Sequence, residues 1–177
     1  SNGLTVFDVA EIPTHGGSLR VFAQRKDSGT HPMSQTVSEL LTKEHSLGMT
    51  KLEYYTGFQS RADKIKDDLV EFLIQAKRDN KKVIAYGAAA KGNTLLNYAG
   101  IRKDLLPAVI DLNPAKQNKY LPGSRIPVVN EEIITREKPN YVLILPWNIK
   151  DEVEKQLSFI REGDAKFVIA VPSLNVV

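Results

Sequence analysis

The sequence contains no cysteine. Disulfides and thiolate metal sites are therefore excluded, and a reducing cytoplasm is the expected home. It also lacks any apolar run near the roughly 20 residues of a helical membrane span, and its opening residues do not form a charged-then-apolar leader. No dense Lys/Arg block points to nucleic acid; the net charge of +3 suits an anionic small molecule as well as nothing at all. There are only three histidines. His31 and His45 have no metal-ligand spacing with each other or with acids, so no metal site is expected. What remains is ordinary: 42% hydrophobic and 25% charged residues, as in a globular chain of about one domain plus an appendage.

Three segments follow one another. Residues 1–30 carry two β-branched and aromatic runs, Leu4–Val9 and Ser18–Ala23, joined by the turn Pro13-Thr14-His15-Gly16-Gly17; they read as an antiparallel hairpin. Two strands alone are marginal in water, so the hairpin wants a larger sheet, and it is expected to be poorly anchored or to be rescued by pairing with another copy of the chain. Residues 31–81 read as a helical connector. Ser34 is a candidate N-cap for a helix ending near Gly48, Thr50-x-x-Glu53 has capping-box spacing, and Phe58, Ala62, Ile65, Leu69, Phe72 and Ala76 form the apolar stripe of a long helix.

Residues 82–177 alternate strand and helix. Val83–Tyr86, Ala108–Asp111, Arg125–Val129, Tyr141–Leu145 and Lys166–Val171 are short apolar runs, with helices expected after Gly87, after Asn130 as cap, and over Ile149–Arg161. Strands hydrophobic on both faces and separated by helices imply a parallel sheet covered on both sides. The fold class is thus α/β, a Rossmann-like doubly wound sheet of about five strands, preceded by two helices and the hairpin.

In such a sheet ligands bind beyond the carboxyl ends of the strands. The turn after the first strand, Gly87-Ala88-Ala89-Ala90-Lys91-Gly92-Asn93-Thr94, combines small residues, a following helix start and a cation, which together suit a phosphate. Tight strand–helix packing is the other reading of the same glycines. The loop nearly spells a Walker A motif, but Asn93 stands where the lysine is required, so ATP hydrolysis is not expected. Nor is it the dinucleotide G-x-G-x-x-G. Asp111, about twenty residues on at the end of the second strand, is placed to accept hydrogen bonds from a ribose or sugar hydroxyl, or else forms a turn beside Pro114. Asn113 and Lys116 lie in the polar stretch behind it, and Trp147 and Asn148 follow the fourth strand, where an indole suits stacking or core packing. His15, beside Ser18 and Arg20, is a catalytic candidate or else a turn residue, since no acidic partner lies nearby in sequence.

Six strings, in order, carry a resemblance over nearly the whole chain: Phe7-Asp8-Val9, Pro13–Arg20, Gly87–Asn97, Asp111–Gln117, Leu121-Pro122-Gly123 and Ile144–Asn148. They resemble the carboxyl-terminal domain of S-adenosylmethionine-dependent C-methyltransferases acting on nucleotide-linked deoxysugars. The resemblance implies that this Rossmann-like domain holds the nucleotide-sugar and that a zinc-binding domain and a methyltransferase domain precede it. It also implies that the hairpin is the end of the methyltransferase sheet, and that the methyl-donor loop, zinc cysteines and proton-abstracting Tyr-x-Glu-His stretch lie upstream. This fragment alone is then expected to bind substrate without methylating it. The competing readings are a self-contained nucleotide or dinucleotide module of the regulatory or dehydrogenase kind, and a scaffold domain.

Overall fold

The computed structural model describes residues 2–14, 17–163 and 165–177. The chain divides into two compact units, residues 1–59 and 60–177. His15, the catalytic candidate, lies outside the described residues.

In the first unit, β1 (Leu4–Ile12) and β2 (Ser18–Arg25) pair antiparallel from Leu4↔Arg25 to Ile12↔Ser18, with a bulge between Val6 and Asp8. The hairpin does not stand alone: α1 (Gln35–Ser46) packs on β1 and buries Val37. Four polar contacts fix the helix there. The Ser34 amide donates to the Phe7 carbonyl at 2.8 Å, the Ser34 and Thr36 hydroxyls both donate to Asp8 Oδ1 at 2.7 Å, and Lys43 pairs with Glu11 at 2.7 Å. Ser34 has the extended backbone of an N-cap, but its hydroxyl makes no cap bond and is directed to the Asp8 carboxylate instead. The capping box expected at Thr50 and Glu53 does not form either. Leu52 caps the short α2 (Glu53–Thr56) in helical conformation without a side-chain bond.

The long helix α3 (Phe58–Arg78) runs into the second unit. Its buried positions are Leu69, Leu73 and Ala76, so the stripe is displaced from the expected one: Leu73 is 1% exposed and Phe58 65%. Four further helices or strands repeat the α/β pattern: β3 (Val83–Tyr86), α4 (Ala90–Tyr98), β4 (Val109–Ile110) and β5 (Val128–Val129). The remainder is α5 (Glu132–Glu137), β6 (Tyr141–Ile144), α6 (Lys150–Gln156), β7 (Lys166–Ile169) and β8 (Asn175–Val176). The sheet order is β5-β4-β3-β6-β7-β8. Pairing is parallel from β5 through β7, and only β8 runs antiparallel. β8 was not expected: two exposed residues leave no periodicity to read. α5 is capped by Glu131 rather than Asn130, and the helix expected over 149–161 is broken into a 3-10 turn, α6 and a second 3-10 stretch.

Alternate residues of β3 to β7 enter two separate cores, as the strand period of two requires. Val83, Ala85, Val109, Leu143 and Val168 pack with Leu69, Leu73 and Ala76 of α3 and Leu96 of α4. Ile84, Tyr86, Ile110, Val142, Ile144 and Phe167 pack with Ile134 of α5 and Val153 of α6. Helices therefore cover both faces, which is why these strands are continuously apolar.

Candidate functional site at the strand ends

Starting from β3, the chain builds outward to β4 and β5, then returns to add β6, β7 and β8 on the other side. The reversal lies between β3 and β6, and a crevice beyond the carboxyl ends of the strands is expected at such a point. The glycine turn emerges there. Gly87 has φ +86°, and a Cβ on it would lie 2.6 Å from Pro146 Cδ; no other residue fits both the conformation and the space. Its amide donates to the Ile110 carbonyl at 2.7 Å, continuing the ladder past β4.

Helix α4 begins with Ala89 in the N-cap position, has no side-chain cap bond and carries no acid in its first turn. The free amides that every helix start presents therefore receive no carboxylate from their own first turn. Lys91 stands among them. Its Nζ donates to Asn148 Oδ1 at 2.6 Å and lies 5.3 Å from the Trp147 ring centroid. The structure thus brings three expected residues together from the ends of β3 and β6. Gly92 is buried in α4, and a Cβ there would stand 2.5 Å from Leu145 Cβ. This second glycine serves the close approach of helix and strand.

Asp111 is 8% exposed. Its Oδ2 accepts the Ala88 amide at 2.8 Å and Lys116 Nζ at 2.9 Å, and its Oδ1 accepts the Asn113 amide at 2.9 Å. Lys116 Nζ also reaches the Ala88 carbonyl at 3.1 Å, and Gln117 Nε2 donates to the Asp111 carbonyl at 2.9 Å. The carboxylate joins the glycine turn to the polar loop behind β4. Asn113 Oδ1 is engaged by the Ala115 amide. The Thr94 hydroxyl is engaged by the Ala90 carbonyl of its own helix, while Asn93 Oδ1 is buried without a hydrogen-bond partner.

Two participants were not singled out from sequence. Gln117 is one. Tyr86, the last residue of β3, is the other. Burial pushes its phenol above the usual tyrosine range, the Glu131 and Asp111 charges add to this, and the Gln156 side chain opposes it. A tyrosine preceding the glycine turn is the available signal, but in a fully apolar strand it reads as core. Among the described residues no group of three His, Asp or Glu side chains is arranged to hold a metal ion, and no helix is long and apolar enough to cross a membrane. His31 stacks on Phe7 at 4.6 Å between ring centroids.

Comparison with known proteins bears on the same residues. The profile of the family described as the C-methyltransferase C-terminal domain matches residues 13–172. The C-methyltransferase NovU of Streptomyces niveus is 33% identical over 178 aligned positions, which take in 100% of this chain and 42% of NovU. The chain therefore spans about two fifths of the length of the curated relative it matches.

Proposed function

The chain belongs to the C-methyltransferase C-terminal domain family, and from that premise we propose that residues 82–177 are a Rossmann-like domain binding the nucleotide-linked deoxysugar substrate of an S-adenosylmethionine-dependent C-methyltransferase. The observation that carries this reading is the uncapped α4 start with Lys91 beside it at the reversal of the sheet. Free amides and an ammonium there suit a nucleoside diphosphate. The strand order supports the Rossmann-like assignment, since β3, β4 and β5 run one way from the centre and β6, β7 and β8 the other.

In this reading Gly87 lets the backbone approach the phosphates, Ala88 and Asp111 set the turn, and Asn113 and Lys116 hold the loop beside it. Gly92 seats the helix, and Asn93 and Thr94 complete its first turns. Asp111 Oδ1 accepts one bond from the chain and retains capacity for a sugar hydroxyl. Trp147 and Asn148 form the wall beneath Lys91.

S-adenosylmethionine would supply the methyl group in the intact enzyme, yet a sulfonium cation does not fit a site built around Lys91 and helix amides. The methyl donor, the zinc and the proton-abstracting residues are assigned to sequence beyond this chain. The isolated chain is proposed to bind substrate without methylating it, in the cytoplasm.

Titration calorimetry of the 177-residue chain with dTDP, dTDP-glucose, NAD and S-adenosylmethionine tests the proposal. Binding of dTDP and dTDP-glucose is expected, with none of S-adenosylmethionine. Lys91→Ala removes a charge-assisted hydrogen bond worth about 1.5–3 kcal/mol, so affinity should fall roughly tenfold or more. Tight binding of NAD with none of dTDP would instead establish a dinucleotide module, and methyl transfer by the chain would overturn the proposal.

A further inference from the structure

A cation in the first turn of a helix opposes the helix dipole, whose positive end lies there. Lys91 nevertheless occupies that turn of α4, with no acidic residue in it. No carboxylate compensates its charge: among the described residues Lys91 makes no ion pair, and its ammonium contacts are an amide oxygen at 2.6 Å and an indole face at 5.3 Å. Both partners are neutral. Lys116, on the other side of the same turn, differs in this respect, since it pairs with the Asp111 carboxylate at 2.9 Å.

We propose that Asn148 and Trp147 are positioning residues that hold the Lys91 ammonium at the helix start without neutralising it, so that its full charge meets the phosphate of the ligand. The inference rests on the phosphate-site reading above and adds a division of labour to it. Asn148 fixes the ammonium through one of its three protons, leaving two for phosphate oxygens. Trp147 supplies electrostatic attraction through its ring face, with no competing anion. Lys116 closes the polar loop onto the turn and contributes less to the anion, because Asp111 balances it.

The test uses Asn148→Asp, Asn148→Ala and Lys91→Met in the 177-residue chain. Aspartate is nearly the shape of asparagine and converts the neutral cradle into an ion pair. Affinity for dTDP and for inorganic pyrophosphate should fall about tenfold or more in Asn148→Asp, as it does when the charge is removed, with an unchanged thermal midpoint. Asn148→Ala should lose less, because Lys91 keeps its charge. The chain has one tryptophan, so the emission of the free protein reports the cradle without any ligand. It should change in Lys91→Met and stay close to wild type in a Lys116→Met control. Identical emission in wild type and Lys91→Met would overturn the cradle, as would wild-type affinity in Asn148→Asp. If emission responds as stated but the wild-type chain binds neither dTDP nor pyrophosphate, the cradle stands and the phosphate reading fails.

Discussion

The two glycines of the turn do different things although the sequence presents them alike. Gly87 adopts φ +86° against Pro146, whereas Gly92 is an ordinary helical residue whose missing Cβ lets α4 close on Leu145. Sequence alone left both the phosphate and the packing reading open, since spacing does not say what lies opposite a glycine. Gly92→Ala places a methyl 2.5 Å from Leu145 Cβ, two rigid atoms that cannot both stay. Overpacking of this kind costs about 1–3 kcal/mol. Denaturant unfolding should show that loss in Gly92→Ala, and adding Leu145→Ala should not restore it, because alanine keeps the clashing Cβ and leaves a cavity behind. Asp111 shows the same limit. Its position at the end of β4 was legible, but its bonds to the Ala88 amide and Lys116 depend on where two separate loops meet.

At the scale of elements, α1 and the hairpin illustrate how a tertiary contact overrides a local signal. Ser34 and Thr36 have the residue types of a helix start, yet both hydroxyls turn to Asp8, more than 25 residues back. The Thr36 hydroxyl, then that of Ser34, with a smaller contribution from the Val9 amide, hold the Asp8 carboxyl below its usual range, against some loss of hydration. A carboxyl depressed in the folded state stabilises it above its unfolded pKa, about 3.9, and that contribution is lost as pH falls through the lower folded value. Acid titration followed by NMR of Val37 should therefore show α1 loosening from β1 below about pH 4. Asp8→Asn should be looser already at neutral pH and lack this acid dependence. The long helix was legible from its period, and the shift of its buried stripe toward Leu73 was not, because nothing in the spacing says where the sheet begins.

For the whole molecule, the parallel sheet was readable because two-sided burial forces near-continuous apolar runs such as Val83–Tyr86 and Tyr141–Ile144. The antiparallel β8 escaped since its pairing with β7 is set by tertiary position alone. The two ends of the sheet are also chemically distinct. At the amino ends of β3, β4 and β5 lies a cavity of about 620 Å³ among Lys77, Lys81, Lys82, Lys103 and Arg136. There Lys82 and Arg136 pair with Glu137, and Lys77 with Asp104. That end serves as an internal control for binding at the glycine turn, because it too is basic. The decisive measurement is an amide-resolved NMR titration of the 177-residue chain with dTDP-glucose. Saturable shifts are expected at Ala88 through Gly92, at Asn148 and at the Trp147 indole. Shifts confined to Lys77, Lys81 and Lys103, with the glycine turn unmoved, would contradict binding there.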